Sequence, residues 1–365
     1  MKLTRVLPLM ACLLLAACGG GESADEASVQ VEKAKTYQWK LVTTWPKNYP
    51  GLGMAAENFA VMVDKMSAGR LKVKVYGATQ LVPALEVFDA VSQGTAEMGH
   101  GAAYYWKGKT PTSPLFTSVP FGLNAQEMNG WLHYGGGMEL WRELYEPFNL
   151  VPLAAGNTGV QMAGWFNREI NSLEDLKGLK MRIPGLGGEV MSRVGVEAVN
   201  IPGGELYTSM QTGVIDATEW VGPYNDLAFG FHQVAKYYYY PGWHEPGPTL
   251  ELIVNKPAYE SLPADLQAIV EAAARAVNQD MLDDYTARNN AALNELVNTH
   301  GVELRQLPDD VLAELNRVTD QVLDEIAESD PMFKKVYASQ KAFKTEAMQY
   351  HKISEEAYYR ARELK

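Results

Sequence analysis

The sequence predicts an α/β fold with two lobes, and three observations support this prediction. The chain has 365 residues, of which 47% are hydrophobic, and this is more than a single ordinary core requires. Short runs of β-branched residues alternate with amphipathic helical patterns, as is typical of α/β units. Residues 86–98 also align without a gap on residues 205–217, and this internal repeat indicates two lobes that are built alike.

The N-terminus has the pattern of an export signal. A basic start precedes an apolar run at residues 6–17, which is shorter than the roughly 20 residues of a membrane-spanning helix. The tetrapeptide Leu-Ala-Ala-Cys that ends at Cys18 resembles the bacterial lipobox, in which the cysteine becomes the lipidated first residue. We therefore expect a lipoprotein-type signal peptide at 1–17, a flexible tether at 18–36, and a protein outside the cytoplasm that is attached to a membrane through Cys18. The alternative is an ordinary cleaved signal with an incidental cysteine.

The body of the chain begins with alternating strand and helix patterns. Residues 39–44 predict a strand, residues 54–67 have apolar residues at helical spacing, and residues 71–76 alternate as a strand does. Segments 86–98 and 205–217 then each predict a helix, a glycine stop and a short strand. Because open α/β sheets bind ligands at the carboxyl ends of strands, we expect the two copies to face each other across a cleft. The alternative is chance similarity between two amphipathic helices that end in glycine.

From residue 257 onward the sequence predicts long, charged helices with little β-branched content. They span residues 262–298, 308–328 and 331–364. Such helices brace the two lobes or present an apolar stripe to a second subunit, and periodicity does not distinguish these roles. The predicted division of the body is a first lobe at 37–155, a second lobe at 156–242, a return to the first lobe with a bracing helix at 243–300, and C-terminal helices able to form a dimer contact at 301–365.

Composition and motifs argue against several classes of function. The chain has 44 acidic and 32 basic residues, so we expect no nucleic-acid partner. Both cysteines, Cys12 and Cys18, lie within the first 20 residues, which excludes a cysteine nucleophile or a thiolate metal site in the body. The sequence lacks P-loop, zinc-protease and serine-hydrolase motifs. We expect no enzymatic activity, and we interpret all six histidines, including His244, as scattered residues without metal-ligand spacing.

Several polar residues stand out because they lie within aromatic or apolar sequence. They are Gln161, Arg182, Glu219 and Glu245. Burial of such groups is costly unless they find a partner, and the planar fork of Arg182 suits a carboxylate. Glu219 and Glu245 would repel that anion, and a hard cation such as sodium or calcium would remove the conflict. The alternative roles are structural: Arg182 as an ion-pair partner of either glutamate, Gln161 as a hydrogen-bond partner of backbone, and Trp220 as a packing residue.

Seven segments, taken together, resemble one known family. They are LVTTWP (41–46), HGAAYYWKGK (100–109), VPFGLNAQEMNGW (119–131), GNTGVQMAGWF (156–166), LKGLKMRIPG (176–185), DATEWVGPYND (216–226) and YYYYPGWHEPGPT (237–249). The family is that of the DctP-like extracytoplasmic receptors of tripartite ATP-independent periplasmic (TRAP) transporters. Within it, the chain is most similar to the subgroup that binds 2-oxoacids or lactate with a cation.

This resemblance implies a two-lobed periplasmic solute-binding fold with a long bracing helix and a helical C-terminal tail. Such a receptor closes over a small 2-oxo or 2-hydroxy monocarboxylate, such as pyruvate, 2-oxobutyrate or lactate, and delivers it to the TRAP membrane permease. The subgroup also implies a homodimer formed through the C-terminal helices. Alternative functions are a receptor for a dicarboxylate, an aromatic acid or a sugar acid, a sensor module with the same fold, and an exported metal-dependent enzyme that acts on a 2-oxoacid.

The resemblance also assigns roles to individual residues. Arg182 occupies the position that binds the ligand carboxylate. Gln161, Glu219 and the backbone oxygen of Trp220 occupy the positions that bind a sodium or calcium ion. Three further residues are expected near the ligand: Asn157, Tyr105 and Glu245. The sequence departs from the family pattern at Pro184 and His244, and both departures concern the size of the pocket.

Overall fold

A computed structural model describes residues 35–364, and in it the predicted α/β fold class is confirmed. The predicted signal peptide, Cys18 and most of the predicted tether lie outside the described residues. Within the described range, no helix has both the length and the apolar character that crossing a membrane requires.

Two β-sheets organise the described part of the chain. The strands are β1 (Tyr37–Thr43), β2 (Leu71–Tyr76), β3 (Met98–Gly101), β4 (Leu150–Asn157), β5 (Gly164–Phe166), β6 (Lys180–Arg182), β7 (Glu197–Val199), β8 (Ala217–Thr218), β9 (Tyr237–Tyr240), β10 (Thr249–Asn255) and β11 (Glu303–Gln306). The first sheet has the order β2-β1-β3-β10-β4, and the second has the order β11-β9-β5-β8-β6-β7. In both sheets, parallel strands meet antiparallel ones near the centre.

Helices cover both sheets. They are α1 (Leu52–Met66), α2 (Val87–Ser92), α3 (Ala125–Tyr134), α4 (Gly137–Tyr145), α5 (Gly185–Arg193), α6 (Leu206–Gln211), α7 (Pro223–Phe229), α8 (Lys256–Glu260), α9 (Ala264–Asn298), α10 (Asp309–Ser329), α11 (Pro331–His351) and α12 (Glu355–Arg362). Helix α9, with 35 residues, packs on β4 and α1 beside the first sheet and on α7 beside the second. One hydrophobic core therefore extends along α9 between the two sheets.

The two copies of the internal repeat have the same local structure. Each has a short 3₁₀ turn, a six-residue helix (α2 or α6), a glycine of positive φ and then a strand (β3 or β8). The glycines are Gly94 and Gly213, with φ of 75° and 72°, values that glycine adopts without strain. Strand β3 lies inside the first sheet and β8 inside the second. This shared geometry favours repeated architecture over chance similarity.

The chain crosses between the sheets three times within the described range. Segment 158–163 connects β4 to β5, segment 241–248 connects β9 to β10, and α9 leads from the first sheet to β11. The first two crossovers run side by side, since the N–H of Gln161 donates to the carbonyl of Glu245 at 3.1 Å. A Cβ on Gly242 would lie 2.1 Å from the carbonyl oxygen of Gln161, so this close approach requires glycine.

The C-terminal region differs from its prediction in two places. Residues 303–306, which lie between two predicted helices, form β11 and pair in parallel with β9, although the sequence analysis predicted no strand in this region. The helix predicted at 331–364 is interrupted at Ser354, whose backbone leaves the helical region (φ −107°, ψ −95°) and whose hydroxyl donates to the carbonyl of Tyr350 at 2.9 Å. Local hydrogen bonding by serine competes with helix continuation in this way.

Candidate ligand and cation site

Arg182 and Glu219 lie at the carboxyl ends of neighbouring parallel strands. Arg182 is the last residue of β6, and Glu219 directly follows β8, in which Thr218 is paired with Arg182. The N–H of Glu219 donates to the carbonyl of Arg182 at 3.2 Å. Both side chains therefore leave the second sheet at the edge where open α/β sheets bind ligands.

The guanidinium of Arg182 is buried, with 1% of the side chain exposed, and it already has several acceptors. Nε donates to the carbonyl of Ile201 (3.1 Å), and Nη1 donates to the carboxylate and the carbonyl of Glu219. Within residues 35–364, Nη2 has one acceptor, the hydroxyl of Tyr105 at 3.2 Å. The ion pair with Glu219 that the sequence left open is thus present, and one Nη2 hydrogen remains for a further acceptor.

A cluster of unpaired acceptor atoms lies beside this ion pair. Carboxylate oxygens of Glu219 and Glu245 and a ring nitrogen of His244 lie within 4.8 Å of one another, and all three residues are buried. Gln161 adjoins Glu245. Among the described residues, no partner is found for Oε1 of Gln161, Nδ1 of His244 or Oε2 of Glu245. An unsatisfied buried polar atom costs about 1–3 kcal/mol, and a cation bound by the carboxylate and amide oxygens of this cluster would remove part of that cost. The residues present therefore fit a metal ion.

Aromatic side chains from both sheets surround the guanidinium. The ring of Trp220 lies 5.3 Å from the Cζ of Arg182. Trp45, which follows β1 in the first sheet, lies with its ring centre 6.0 Å from that of Tyr105 and 6.1 Å from that of Trp220. Arg182 is therefore enclosed between the carboxyl ends of strands from both sheets.

Asn157 has a different place from the other predicted residues. It is the last residue of β4, and its amide nitrogen donates to the carbonyl of Gly247 (3.0 Å) and the hydroxyl of Thr249 (3.4 Å). Its amide oxygen accepts from the N–H of Gly159 at 2.9 Å. These contacts hold the crossovers 158–163 and 241–248 against each other, and those crossovers carry Gln161 and Glu245.

Burial dominates the electrostatics of the site. Burial, together with the negative charge of Glu219, raises the pKa of Glu245 well above its usual value, and the nearby Arg182 opposes this only in part. Burial lowers the pKa of Arg182, but Glu219, Tyr105 and Tyr104 together outweigh this effect and leave the pKa raised. Burial also raises the pKa of the Tyr105 hydroxyl, which therefore stays protonated. Burial thus favours a charged Arg182 that is paired with Glu219, and it disfavours a second negative charge on Glu245 in the absence of a cation.

The prediction that all six histidines are scattered is wrong for His244. Its Nε2 lies 3.3 Å from Oε2 of Glu219, and only 2% of the residue is exposed. Spacing along the chain could not reveal this contact, because the partner lies on another strand and is brought close only by folding. The adjacent Glu245 in an aromatic segment is the signal that could have identified His244.

Comparisons with known proteins support the resemblance. A family model described as bacterial extracellular solute-binding protein, family 7 (DctP), matches residues 41–330. A monocarboxylate 2-oxoacid-binding periplasmic protein from Nostoc sp. is 45% identical over 321 residues, which are 88% of this chain and 88% of that protein.

Two solved structures of TRAP periplasmic solute-binding proteins have the same fold. The protein from Colwellia psychrerythraea, with bound calcium and pyruvate, is 45% identical, with a TM-score of 0.87 over 90% of this chain and 100% of that chain. The protein from Pseudoalteromonas atlantica, with bound sodium and pyruvate, is 44% identical, with a TM-score of 0.88 over 91% of this chain and 100% of that chain. The family prediction is confirmed: this chain belongs to the DctP family of TRAP solute-binding proteins.

Proposed function

We propose that this protein binds a small 2-oxo or 2-hydroxy monocarboxylate together with a sodium or calcium ion and delivers the acid to a TRAP permease. The observation that carries the proposal is a buried guanidinium, that of Arg182, beside a cluster of unpaired buried acceptors. Three relatives support the ligand class. The protein from Nostoc is named for 2-oxoacid binding, and the other two bind pyruvate with calcium or sodium.

In this proposal, Arg182 binds the ligand carboxylate. Its remaining Nη2 hydrogen provides one contact, and a second parallel contact requires Nη1, which now donates to Glu219. A cation that binds Glu219 competes with Arg182 for that carboxylate. Binding of the cation therefore makes more of the guanidinium fork available, and we expect cation and acid to bind cooperatively.

The cation ligands are the oxygens of Gln161 and Glu219 and the backbone oxygen of Trp220. Hard cations prefer this set of amide, carboxylate and carbonyl oxygens. Glu245 lies beside them and adds a second carboxylate. Tyr105 contacts Arg182, and Asn157 holds the crossovers in place.

Release and capture of the acid require the two sheets to separate. The site side chains are almost fully buried, and they come from both sheets and from both crossovers. A ligand that contacts Arg182 of the second sheet and Tyr105 of the first would stabilise the closed form, which the permease would recognise. In our proposal, the lobe boundary near 243 lies in the second of these crossovers, and the boundary near 156 lies at the end of β4, just before the first.

Calorimetric titration with pyruvate tests this function. We expect saturable one-to-one binding by dialysed protein in calcium or sodium, and loss of binding in a chelator with choline as the only cation. A thermal-shift panel should rank pyruvate, 2-oxobutyrate and lactate above succinate, benzoate and gluconate. Preference for one of the last three acids would contradict the ligand class, and stabilisation by none of the six would contradict the receptor function.

The same complex distinguishes a receptor from an enzyme. Members of this family are solute-binding receptors. We expect intact pyruvate to be recovered when the complex with calcium is denatured and analysed by mass spectrometry. Conversion of pyruvate to a product during incubation would instead support an exported metal-dependent enzyme.

We also propose that the protein is anchored in the periplasm by lipid. TRAP solute-binding proteins are periplasmic, and the lipobox-like sequence that ends at Cys18 supports an anchor at this end of the chain. The wild-type protein should fractionate with membranes, and Cys18→Ser should be soluble in the periplasm. Equal release of both from osmotically shocked cells would contradict lipidation.

A homodimer through the C-terminal helices is the last part of the proposal. The end of α11 and the region of α12 expose apolar and aromatic side chains, namely Met348, Tyr350, Ile353, Tyr358 and Tyr359. Exposed patches of this kind are typical of protein contacts. Sedimentation should show a dimer for the full chain and a monomer for a chain that ends at His351. A monomeric full chain would contradict the proposal.

A further inference from the structure

We propose that Asp226 positions the backbone carbonyl of Trp220 for the cation of this site. The inference rests on the proposed function, because that carbonyl is one of the cation ligands included there. It assigns a role to a buried carboxylate that the proposed function does not use. Asp226 acts through the backbone of the neighbouring turn and does not itself bind the cation.

The carboxylate of Asp226 accepts four hydrogen bonds. The residue lies in α7 and is 1% exposed. Its Oδ1 accepts from the N–H groups of Val221 (3.3 Å) and Gly222 (3.2 Å). Its Oδ2 accepts from the indole N–H of Trp165 (2.9 Å) and the hydroxyl of Tyr238 (2.7 Å). One side chain thus connects the turn between β8 and α7 to two other strands of the second sheet.

The bonds to Oδ2 hold this carboxylate in a fixed position. Trp165 in β5 is paired with Tyr238 in β9, and both side chains are fully buried. Their rings stack with centres 4.1 Å apart at an angle of 19°. A side chain that is held by packed residues of a sheet can orient a neighbouring loop precisely. The turn that contacts Oδ1 is therefore fixed relative to the sheet.

The bonds to Oδ1 determine the orientation of the peptide between Trp220 and Val221. This peptide is trans, since the cis bond found within residues 35–364 is that of Tyr240–Pro241. The N–H and C=O of a trans peptide point in opposite directions. Because the N–H of Val221 points to Asp226, the carbonyl of Trp220 points away from it. No N–H or O–H of the described residues donates to this carbonyl, so it is available to a cation.

A second contact fixes the turn relative to the other oxygen ligands. The carbonyl of Val221 accepts from the N–H of Met162 at 2.9 Å, and Met162 directly follows Gln161 on crossover 158–163. On the other side, Trp220 directly follows Glu219, whose carboxylate belongs to the acceptor cluster. Groups that orient metal ligands in this way typically contribute about 10- to 100-fold to metal affinity.

Calorimetry on two variants of Asp226 tests the inference. Asp226→Ala removes both oxygens, so we expect the dissociation constant of calcium, measured with saturating pyruvate, to rise at least about tenfold. Pyruvate affinity at saturating calcium should change little, because Arg182 is unaffected. Asp226→Asn keeps one oxygen for the two N–H groups of the turn, while its amide nitrogen can donate to the hydroxyl of Tyr238. This variant should regain most of the calcium affinity.

Asn255→Ala is the control for lost stability. Asn255 is also buried and accepts from the backbone N–H of Ala258 in α8 at 3.2 Å, but it lies at the end of β10 remote from crossover 241–248. Its loss should lower the melting temperature and leave calcium affinity unchanged. Unchanged calcium affinity in Asp226→Ala, or an equal loss in Asp226→Asn, would overturn the inference. Wild-type protein that binds no pyruvate with calcium or sodium would instead contradict the proposed function.

Amide hydrogen exchange of the ligand-free wild-type protein, measured by NMR, makes the test independent of variant folding. The amides of Val221 and Gly222 donate to Asp226 in the absence of a ligand, so we expect them to exchange slowly before any cation is added. Exchange as fast as that of an exposed loop would overturn the inference, because the turn would then be ordered only by the cation.

Discussion

At the scale of the residue, Arg182 is defined by what it contacts. A buried ion pair such as Arg182 with Glu219 adds little stability on its own, because desolvation offsets much of the attraction. Loss of one partner is much more costly, since the other charge is then buried alone. The pair is thus suited to a site in which a bound anion replaces Glu219 as the partner of Arg182, and a bound cation replaces Arg182 as the partner of Glu219.

Substitution of Arg182 should abolish ligand binding. For Arg182→Ala we expect pyruvate affinity to fall at least about 100-fold, because a charged, parallel pair of hydrogen bonds is lost. Arg182→Lys keeps the charge but lacks the planar fork, so its pyruvate affinity should lie between those of wild type and Arg182→Ala. Calorimetry with calcium measures both variants, and wild-type affinity in Arg182→Ala would contradict the assignment of the carboxylate site.

Folding must be separated from binding in this experiment. Arg182→Ala leaves Glu219 buried without its partner, at a cost of about 3–5 kcal/mol. Combination with Glu219→Gln removes that charge, so the double variant should regain thermal stability. Because Glu219 is itself an expected cation ligand, its pyruvate affinity is compared with that of Glu219→Gln alone and should be lower. Equal affinity in a stable double variant would show that Arg182 acts only through folding.

At the scale of the element, a buried acid holds the turn that carries Tyr105. Glu251 in β10 accepts hydrogen bonds from the indole N–H of Trp106 and, at 2.9 Å, from the hydroxyl of Tyr145. Trp106 ends the 3₁₀ turn at Ala103–Trp106, which includes Tyr105. Burial raises the pKa of Glu251 to about 7, although both hydrogen bonds oppose the shift.

Glu251 should therefore make the stability of the protein depend on pH. In the unfolded chain its pKa is about 4.3, so the folded state holds the proton more tightly. This contribution to stability is complete below about pH 4.3 and is lost as the pH rises to about 7. Glu251→Gln removes it, and the variant should gain up to about 3 kcal/mol relative to wild type between pH 5 and pH 8.

Urea denaturation at pH 5, 6, 7 and 8 measures this difference. Asp226, whose pKa burial also raises to about 7, is retained in both proteins, so its effect cancels in the comparison. Parallel pH profiles for wild type and Glu251→Gln would contradict the prediction.

Comparison of the observed helices and strands with their predictions shows which elements local sequence patterns determine. The repeated helix and strand and the long helix at 264–298 could be predicted, because amphipathic spacing and glycine stops are local features. Strand β11 could not be predicted, because it depends on pairing with β9. The break at Ser354 could not be predicted either, because it depends on the hydrogen bond of a single side chain. At the site, residue type identified Arg182, whereas His244 depends on contacts that only folding creates.

At the scale of the whole molecule, one ion pair connects the two sides of the cleft. Lys107, which follows the turn after β3 in the first sheet, lies 3.0 Å from Glu189 of α5, beside the second sheet. It borders a groove of about 300 Å³ that is also lined by Tyr105 and Pro184. The groove adjoins the buried site, because Tyr105 lines the groove and its hydroxyl accepts a hydrogen bond from Arg182. We therefore expect the pair of Lys107 and Glu189 to form only when the sheets are closed.

Removal of this pair should speed ligand release. Side chains that are 36% and 33% exposed form a partly screened ion pair, and such pairs contribute about 0.2–1 kcal/mol. Lys107→Ala should then weaken pyruvate binding about 1.4- to 5-fold, mainly through a faster off-rate, because the pair stabilises only the closed form.

Stopped-flow tryptophan fluorescence at low and high salt measures the off-rate. The difference from wild type should shrink at 0.5 M salt, where exposed charges are screened over a few ångströms. Lys177→Ala is the control, because Lys177 pairs with Glu174, three residues away beside the same sheet, and this ion pair does not span the cleft. Lys107→Ala and Glu189→Ala should be non-additive when combined, since both remove the same contact. Additive effects, or an effect confined to the on-rate, would show that this pair does not hold the cleft closed.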